Sequence, residues 1–221
     1  MKEKAIQLRE ALERINEDLL ALSDDIWLSI DHNDAQGLEK GVAFKQAFNE
    51  QQSNFAAASQ GIIEVLGNYG GTPEPQKKTS TRNRSQRDRK IQELDKHKAH
   101  ALSEEFAYKR PYGMTFEGEA YTDLKTWKAV YRQVLAHLLA KDKAQFRQLD
   151  QSDGAISRRG NAYITKKKSD VRQAMDIGEG LYVEVNLSAN LIRDSIARLL
   201  NEFSIPHDQI TFYLREDRDA N

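Results

Sequence analysis

Two runs of apolar residues, spaced alternately four and three apart, do most to limit what this chain of 221 residues can become. The first is Leu8, Leu12, Ile15, Leu19, Leu22 and Ile26, at spacings of 4, 3, 4, 3 and 4, which lies along one narrow seam of a helix predicted over residues 3–30. The second is Phe44, Phe48, Gln51, Phe55, Ala58, Ile62, Val65 and Tyr69, with the same alternation. Between them stands "DHND", Asp31 to Asp34, whose short side chains satisfy backbone groups at helix ends. Two seams joined by a short polar turn predict an antiparallel, coiled-coil-like helical hairpin, because neither helix buries its stripe alone. A hairpin of this size needs a second copy or another domain to complete its core. Residues 1–71 are therefore expected to be an oligomerisation arm that makes a homodimer.

Two features of the arm invite a sharper reading. Asp24, Asp25, Asp31, His32 and Asp34 are oxygen and nitrogen donors of the kind that hold a divalent cation, but capping and a solvated turn account for each of them. Phe44, Phe48 and Phe55, at heptad spacing, read as core rather than as a binding face. No metal or cofactor is expected.

Charge is distributed unevenly. Residues 1–71 hold six Lys/Arg against twelve Asp/Glu, and residues 72–100 hold nine against four, while the whole chain carries a formal net charge of −1. The surplus of cations is concentrated in "KKTSTRNRSQRDRK", residues 77–90, where seven basic side chains meet one acid. This follows "GGTPEP", whose glycines and prolines end a helix and mark a domain boundary. With no apolar residue before Ile91, the basic stretch reads as a flexible linker, residues 72–100, running into a helix with Ile91, Leu94, Leu102 and Phe106 as a sparse apolar face. His97 and His100 fall i, i+3 on that helix with Glu93 and Glu104 nearby, donors of the kind that hold a metal, but two exposed helix histidines account for the pattern. Arg82, Arg84, Arg87 and Arg89 are candidate contacts to a polyanion.

The chain has no cysteine, so a disulfide framework, a thiolate zinc site and a thiol nucleophile are all excluded. Charges interrupt every apolar run well short of the ~20 residues of a membrane span, and the N-terminus lacks a signal-peptide core. A cytoplasmic location is expected.

Residues 101–221 mix strand and helix periods, which predicts an α+β module: a small, mostly antiparallel sheet with two helices packed on one face. "MTFEGEAYT" reads as two strands about a Glu117-Gly118 turn. Asp123 is expected to cap a helix that buries Trp127, Val130, Tyr131, Val134, Leu135 and Leu138, and Ser188 a second that buries Leu191, Ile192, Ile196, Leu199 and Leu200. "NAYITK", "GLYVEVNL" and "QITFYL" read as further strands.

The segments "YTDLKTWKAVYRQVLAHLLAKDKAQF", "RGNAYITKKKSD" and "GLYVEVNLSANLIRDSIARLLNEFSI" carry a resemblance. With Trp127 and Lys128 on the first helix, and Tyr182, Val183, Glu184, Asn186, Leu187, Ser188, Ala189 and Asn190 at a strand-to-helix turn, residues 112–215 resemble a C-terminal module of uncharacterised bacterial proteins, some associated with restriction or other anti-phage systems. The resemblance implies no catalytic residue, and the arm and linker lie outside it.

A second cationic cluster falls within this module: Arg158, Arg159, Lys166, Lys167, Lys168 and Arg172, with Tyr163 between them as a stackable ring and Asp170 opposing. Asn186, Ser188 and Asn190 suit either a phosphate at a helix N-terminus or simple capping. Glu117, Glu119 and Asp123 near Lys125 are the residue types of a metal-dependent nuclease, but at a turn and a cap structural roles suffice. The sequence contains no phosphate-binding Gly-rich loop with Lys-Ser/Thr, no His-Glu-x-x-His and no Gly-x-Ser-x-Gly. The expectation is a non-enzymatic nucleic-acid-binding accessory protein of a bacterial defence system. The alternative is a protein-interaction adaptor assembled through its arm, whose linker only supplies reach.

Overall fold

In the computed structural model, residues 2–30, 34–70, 84–156, 160 and 162–215 are described. The chain divides into two units, Met1–Ser80 and Thr81–Asn221.

The first unit is a helical hairpin of α1 (Lys2–Ser29) and α2 (Ala35–Gly70). Asp34 opens α2, accepting hydrogen bonds from the Gln36 and Gly37 backbone amides at 3.1 and 3.0 Å. The helices run antiparallel: Ile30 lies over Gly41, Ser23 meets Lys45 and Asn49, and Asn16 meets Gln52. Beyond the Ile30–Gly41 contact, polar side chains meet across the hairpin. Ser23 Oγ donates to Asn49 Oδ1 at 2.7 Å, Gln52 Nε2 donates to Asn16 Oδ1 at 2.9 Å, and Lys45 Nζ donates to the Ser23 hydroxyl and carbonyl. Burial lowers the pKa of Lys45, with Asp24 acting in the opposite sense.

The two apolar seams therefore do not face each other across the hairpin. Each residue turns a helix by about 100°, which places Asn16 and Ser23 some 60–80° round from the Leu8 seam and Lys45 and Gln52 some 80–100° round from the Phe44 seam, in the same rotational sense. Because the helices are antiparallel, equal offsets in the same sense put both seams on one side of the hairpin. Exposure follows that geometry. Leu12, Leu19, Ile26, Phe48 and Phe55 lean toward the contact and are half-buried. Leu8, Ile15, Leu22, Phe44, Ile62 and Val65 stand 41–68% exposed.

The second unit begins with α3 (Arg84–Leu94) and β1 (Ala99–Ala101), so residues 84–101 are built into it. The expected long helix stops at Leu94, whose side chain is fully buried. A Cβ at Gly113 would sit 2.5 Å from Leu94 Cδ2 and 2.4 Å from the Tyr121 carbonyl oxygen, so only glycine leaves room for this anchor. The His97 ring lies 4.2 Å from that of Tyr112, and the His100 Nδ1 lies 2.8 Å from Glu104 Oε2.

Next come β2 (Pro111–Phe116), β3 (Glu119–Tyr121), α4 (Trp127–Lys141) and the single-turn α5 (Lys143–Phe146). They are followed by β4 (Ile164–Thr165), β5 (Ala174–Gly178), β6 (Leu181–Glu184), α6 (Ala189–Glu202) and β7 (Ile210–Leu214). The architecture is α+β, with two antiparallel sheets rather than one: β1-β7-β2-β3 and β4-β6-β5. All six apolar side chains expected on α4 are buried. Leu191 on α6 is only half-buried, whereas Ile192, Ile196, Leu199 and Leu200 are buried as expected. Thr126, not Asp123, caps α4, its hydroxyl accepting from the Ala129 amide; Asp123 has φ 60° and sits before the cap. Phe106, Trp127 and Phe212 stack at centroid distances of 4.6–5.5 Å, and Trp127 Nε1 donates to the Lys109 carbonyl.

Two hairpins turn on the same dipeptide. Glu117-Gly118 joins β2 to β3 with φ of 45° and 74°, and Glu179-Gly180 joins β5 to β6 with φ of 55° and 75°. Positive φ at both central residues matches the right-handed twist of the strands. Each turn glutamate is held by the α4–α5 segment. Glu117 accepts from Lys141 and lies 3.0 Å from His137 Nε2, and Glu179 pairs with Lys143 and Arg147 at 2.7 and 2.6 Å. Burial alone would raise the Glu117 pKa, but the Lys141 and His137 contacts outweigh it and hold the carboxyl below the ordinary 4.5.

Replacing Glu117 separates clamp from backbone. Glu117→Ala loses the ion pairs and keeps a Cβ in the left-handed region; Glu117→Gly loses only the ion pairs, and should be the more stable of the two by about 1 kcal/mol. Urea unfolding followed by Trp127 fluorescence in a Trp27→Phe background measures this, and equal stabilities would deny the left-handed turn.

A lowered carboxylate pKa stabilises the fold above the ordinary value and ceases to do so as pH falls through the depressed one. Glu117→Gln should therefore flatten the loss of stability of the second unit below pH ~4.5. Superimposable acid titrations of the two proteins would refute the clamp.

Candidate nucleic-acid interface

The cationic residues singled out from the sequence fall into three groups. Arg82, Arg158 and Arg159 lie outside the described residues, as do Asp31 and His32. Arg84, Arg87 and Arg89 belong to α3, together with Lys90, which the sequence reading did not select. Lys166, Lys167, Lys168 and Arg172 lie on the connection from β4 to β5.

That connection is held in place by a buried carboxylate. Glu184, on β6, accepts the backbone amides of Arg172, Gln173 and Asn186 at 2.7, 3.1 and 2.7 Å. Thr165 Oγ1 donates to Asp170 Oδ2 at 3.0 Å and accepts from the Lys167 amide at 3.1 Å. The loop is fixed, but its charge is partly matched by more acids than Asp170 alone. Lys166 Nζ lies 2.8 Å from Asp150, and Arg172 Nε lies 4.0 Å from Glu184. Lys167 and Lys168 are exposed.

Tyr163 is not a platform for a base. Its ring packs against the core and the Arg198 guanidinium lies over it, 4.7 Å from the centroid. Beside it, Tyr131, Ser152, Ser195 and Arg198 line a cavity of about 10 Å³, the size of one water molecule. Burial pushes the Tyr131 hydroxyl well above its ordinary pKa. Asn190 and Ser188 are engaged internally: Asn190 Oδ1 accepts from the Phe106 amide at 2.8 Å, and Ser188 Oγ accepts from the Leu191 amide at 3.4 Å.

α3 offers a different arrangement. Ile91 and Leu94 pack it on β2 and β3 beside Ala120, Tyr112 and Tyr213. The Tyr112 hydroxyl donates to Glu93, and that bond pushes the tyrosine pKa up to about 12. Arg87, Arg89 and Lys90 are exposed, and no ion pair among the described residues includes any of them. Arg87 reaches toward the β2–β3 turn, where a Cβ on Gly118 would lie 2.9 Å from its Nη2. Arg87, Arg89 and Lys90 are thus displayed on a docked helix. The sequence signal was the pair Ile91 and Leu94, spaced i and i+3 directly after the basic run.

Of the carboxylates weighed for a nuclease, Glu117 is engaged in the turn, held by Lys141 and His137, whose Nδ1 lies 2.8 Å from the Tyr121 hydroxyl. No group of three or more His, Cys, Asp or Glu among the described residues is arranged to hold a metal ion, Asp24, Asp25 and Asp34 included. No helix among them is long and apolar enough to cross a membrane.

Comparison with known proteins adds no relative: no family model, no curated protein and no solved structure matches this chain.

Proposed function

We propose that this protein is a non-enzymatic nucleic-acid-binding accessory that grips the phosphate backbone through α3. The observation that carries the reading is the contrast in charge pairing. Lys141, Lys143, Arg147 and Lys166 each lie against a carboxylate, whereas Arg87, Arg89 and Lys90 are exposed together on a helix fixed by Leu94. A cationic helix seated on a folded scaffold neutralises phosphates without first ordering itself. Lys167 and Lys168 extend the same role on the β4–β5 connection. The accessory role in bacterial defence rests on the resemblance read from the sequence alone, of residues 112–215 to a module of uncharacterised bacterial proteins, some of them associated with restriction or other anti-phage systems. The second reading, a protein-interaction adaptor, is favoured by one observation: the apolar side of the arm is open to a partner.

Binding of the full-length protein to a labelled ~25-base-pair duplex, measured across salt, separates the two. If about six phosphates are neutralised, log affinity should fall with log salt at a slope of about −5, a loss of roughly a thousandfold between about 50 and 200 mM. The triple variant Arg87→Gln, Arg89→Gln, Lys90→Gln should weaken binding and flatten the slope by about 3. Lys166→Ala should change little, because Lys166 already lies against Asp150. An absence of binding at low salt, or wild-type affinity in the triple variant, would transfer the assignment to the adaptor.

A further inference from the structure

The exposed side of the arm has an internal order that points to what covers it. The intrachain contacts set which residues of the two helices stand level: Asn16 with Gln52, Ser23 with Lys45 and Asn49, Ile30 with Gly41. Their residue numbers add to about 70. The seam residues obey the same rule at every step: Leu8 with Ile62, Leu12 with Ala58, Ile15 with Phe55, Leu19 with Gln51, Leu22 with Phe48 and Ile26 with Phe44. The open side is therefore a stack of six two-residue layers, in register across the hairpin.

We propose that this side is closed by the same side of a second copy of this chain, giving a four-helix bundle whose two-fold axis runs parallel to the helices. Each α1 then packs on the partner copy's α2, level with the residues it already faces across its own hairpin. Three observations favour a second copy over an unrelated partner. No charged residue lies on either seam, although residues 1–71 carry twelve acids, so two copies can approach face to face without burying like charge. The layers run about 27 Å along the helices, and two helices side by side are about 20 Å wide, so the joined faces bury on the order of 1,100 Å² in total, above the ~1,000 Å² that a specific interface needs. The seams also complement each other: the aliphatic row Leu8 to Ile26 meets the partner's row with Phe44, Phe48 and Phe55, and the small Ala58 faces Leu12. Gln51 breaks the apolar stack once, at the Leu19 layer, and a single polar position of this kind fixes the register of a helical bundle.

The mass of the purified full-length protein in light scattering should be twice 25.3 kDa from low micromolar concentration upward, and a single-chain mass overturns the proposal. Ile15→Glu with Leu22→Glu should halve the mass. Because that variant also loosens the arm, cross-linking provides an independent reading in a chain that has no cysteine of its own. Leu12→Cys and Ala58→Cys proteins, mixed and mildly oxidised, should form a disulfide between the two kinds of chain, in preference to Leu12→Cys with itself. Preferential self-coupling of Leu12→Cys, or no coupling in the mixture, would overturn the layered arrangement. Neither measurement involves nucleic acid, so the outcome is separate from that of the binding assay.

Discussion

Burial of one face of α4 is the constraint on which the second unit depends. Trp127, Val130, Tyr131, Val134, Leu135 and Leu138 cannot be covered by a single short sheet, and the helix packs against β2 of one sheet, β5 of the other, and α6. One sheet has four strands and the other three, most of them short, and each needs an apolar surface to pack its face against before it is stable in water. The helix supplies the shared apolar surface, and its charged C-terminal end, with α5, reaches the turn of a hairpin from each sheet. One element thus joins two small sheets by oil along its flank and by ion pairs at its end.

How much of this was legible in the sequence follows from how local each determinant is. The Glu117-Gly118 turn, the buried face of α4 and the Ser188 cap are all written within a few residues, and they stand where the pattern put them. Glu179-Gly180 uses the same dipeptide for the same purpose but is harder to read, because Ala174–Gly178 before it has a single β-branched residue, Ile177, among Ala, Met, Asp and Gly, which announce a strand weakly or not at all. Asp123 suits a cap by residue type, but its left-handed φ sets it outside the helix, and Thr126 takes the position. The fate of Tyr163 was unreadable: the guanidinium over its ring belongs to Arg198, on a different element. The division of cations into paired and unpaired was hidden for the same reason, since Asp150 and Glu179 reach their partners only in the folded chain.

The arm shows how a correct periodicity can leave its use undetermined. The seams are helical and antiparallel neighbours, as their spacing requires, yet the hairpin closes through Asn16, Ser23, Lys45, Asn49 and Gln52. Polar contacts of this kind add little net stability in water, because each replaces a bond to solvent. They do fix which sides of the helices are turned outward, and that is a matter of direction more than of strength.

The attachment of α3 has a consequence for the origin of its order. Of its eleven residues only Ile91 and Leu94 are apolar, and a helix so short and so charged is unstable on its own. The sheet beneath acts as a template, lending through Leu94 and Tyr112 the shape that the basic sequence would not hold by itself. A helix of this kind has two patrons: the apolar surface under it, and any polyanion that quiets the repulsion among its arginines. Whatever strengthens one contact prepares the helix for the other.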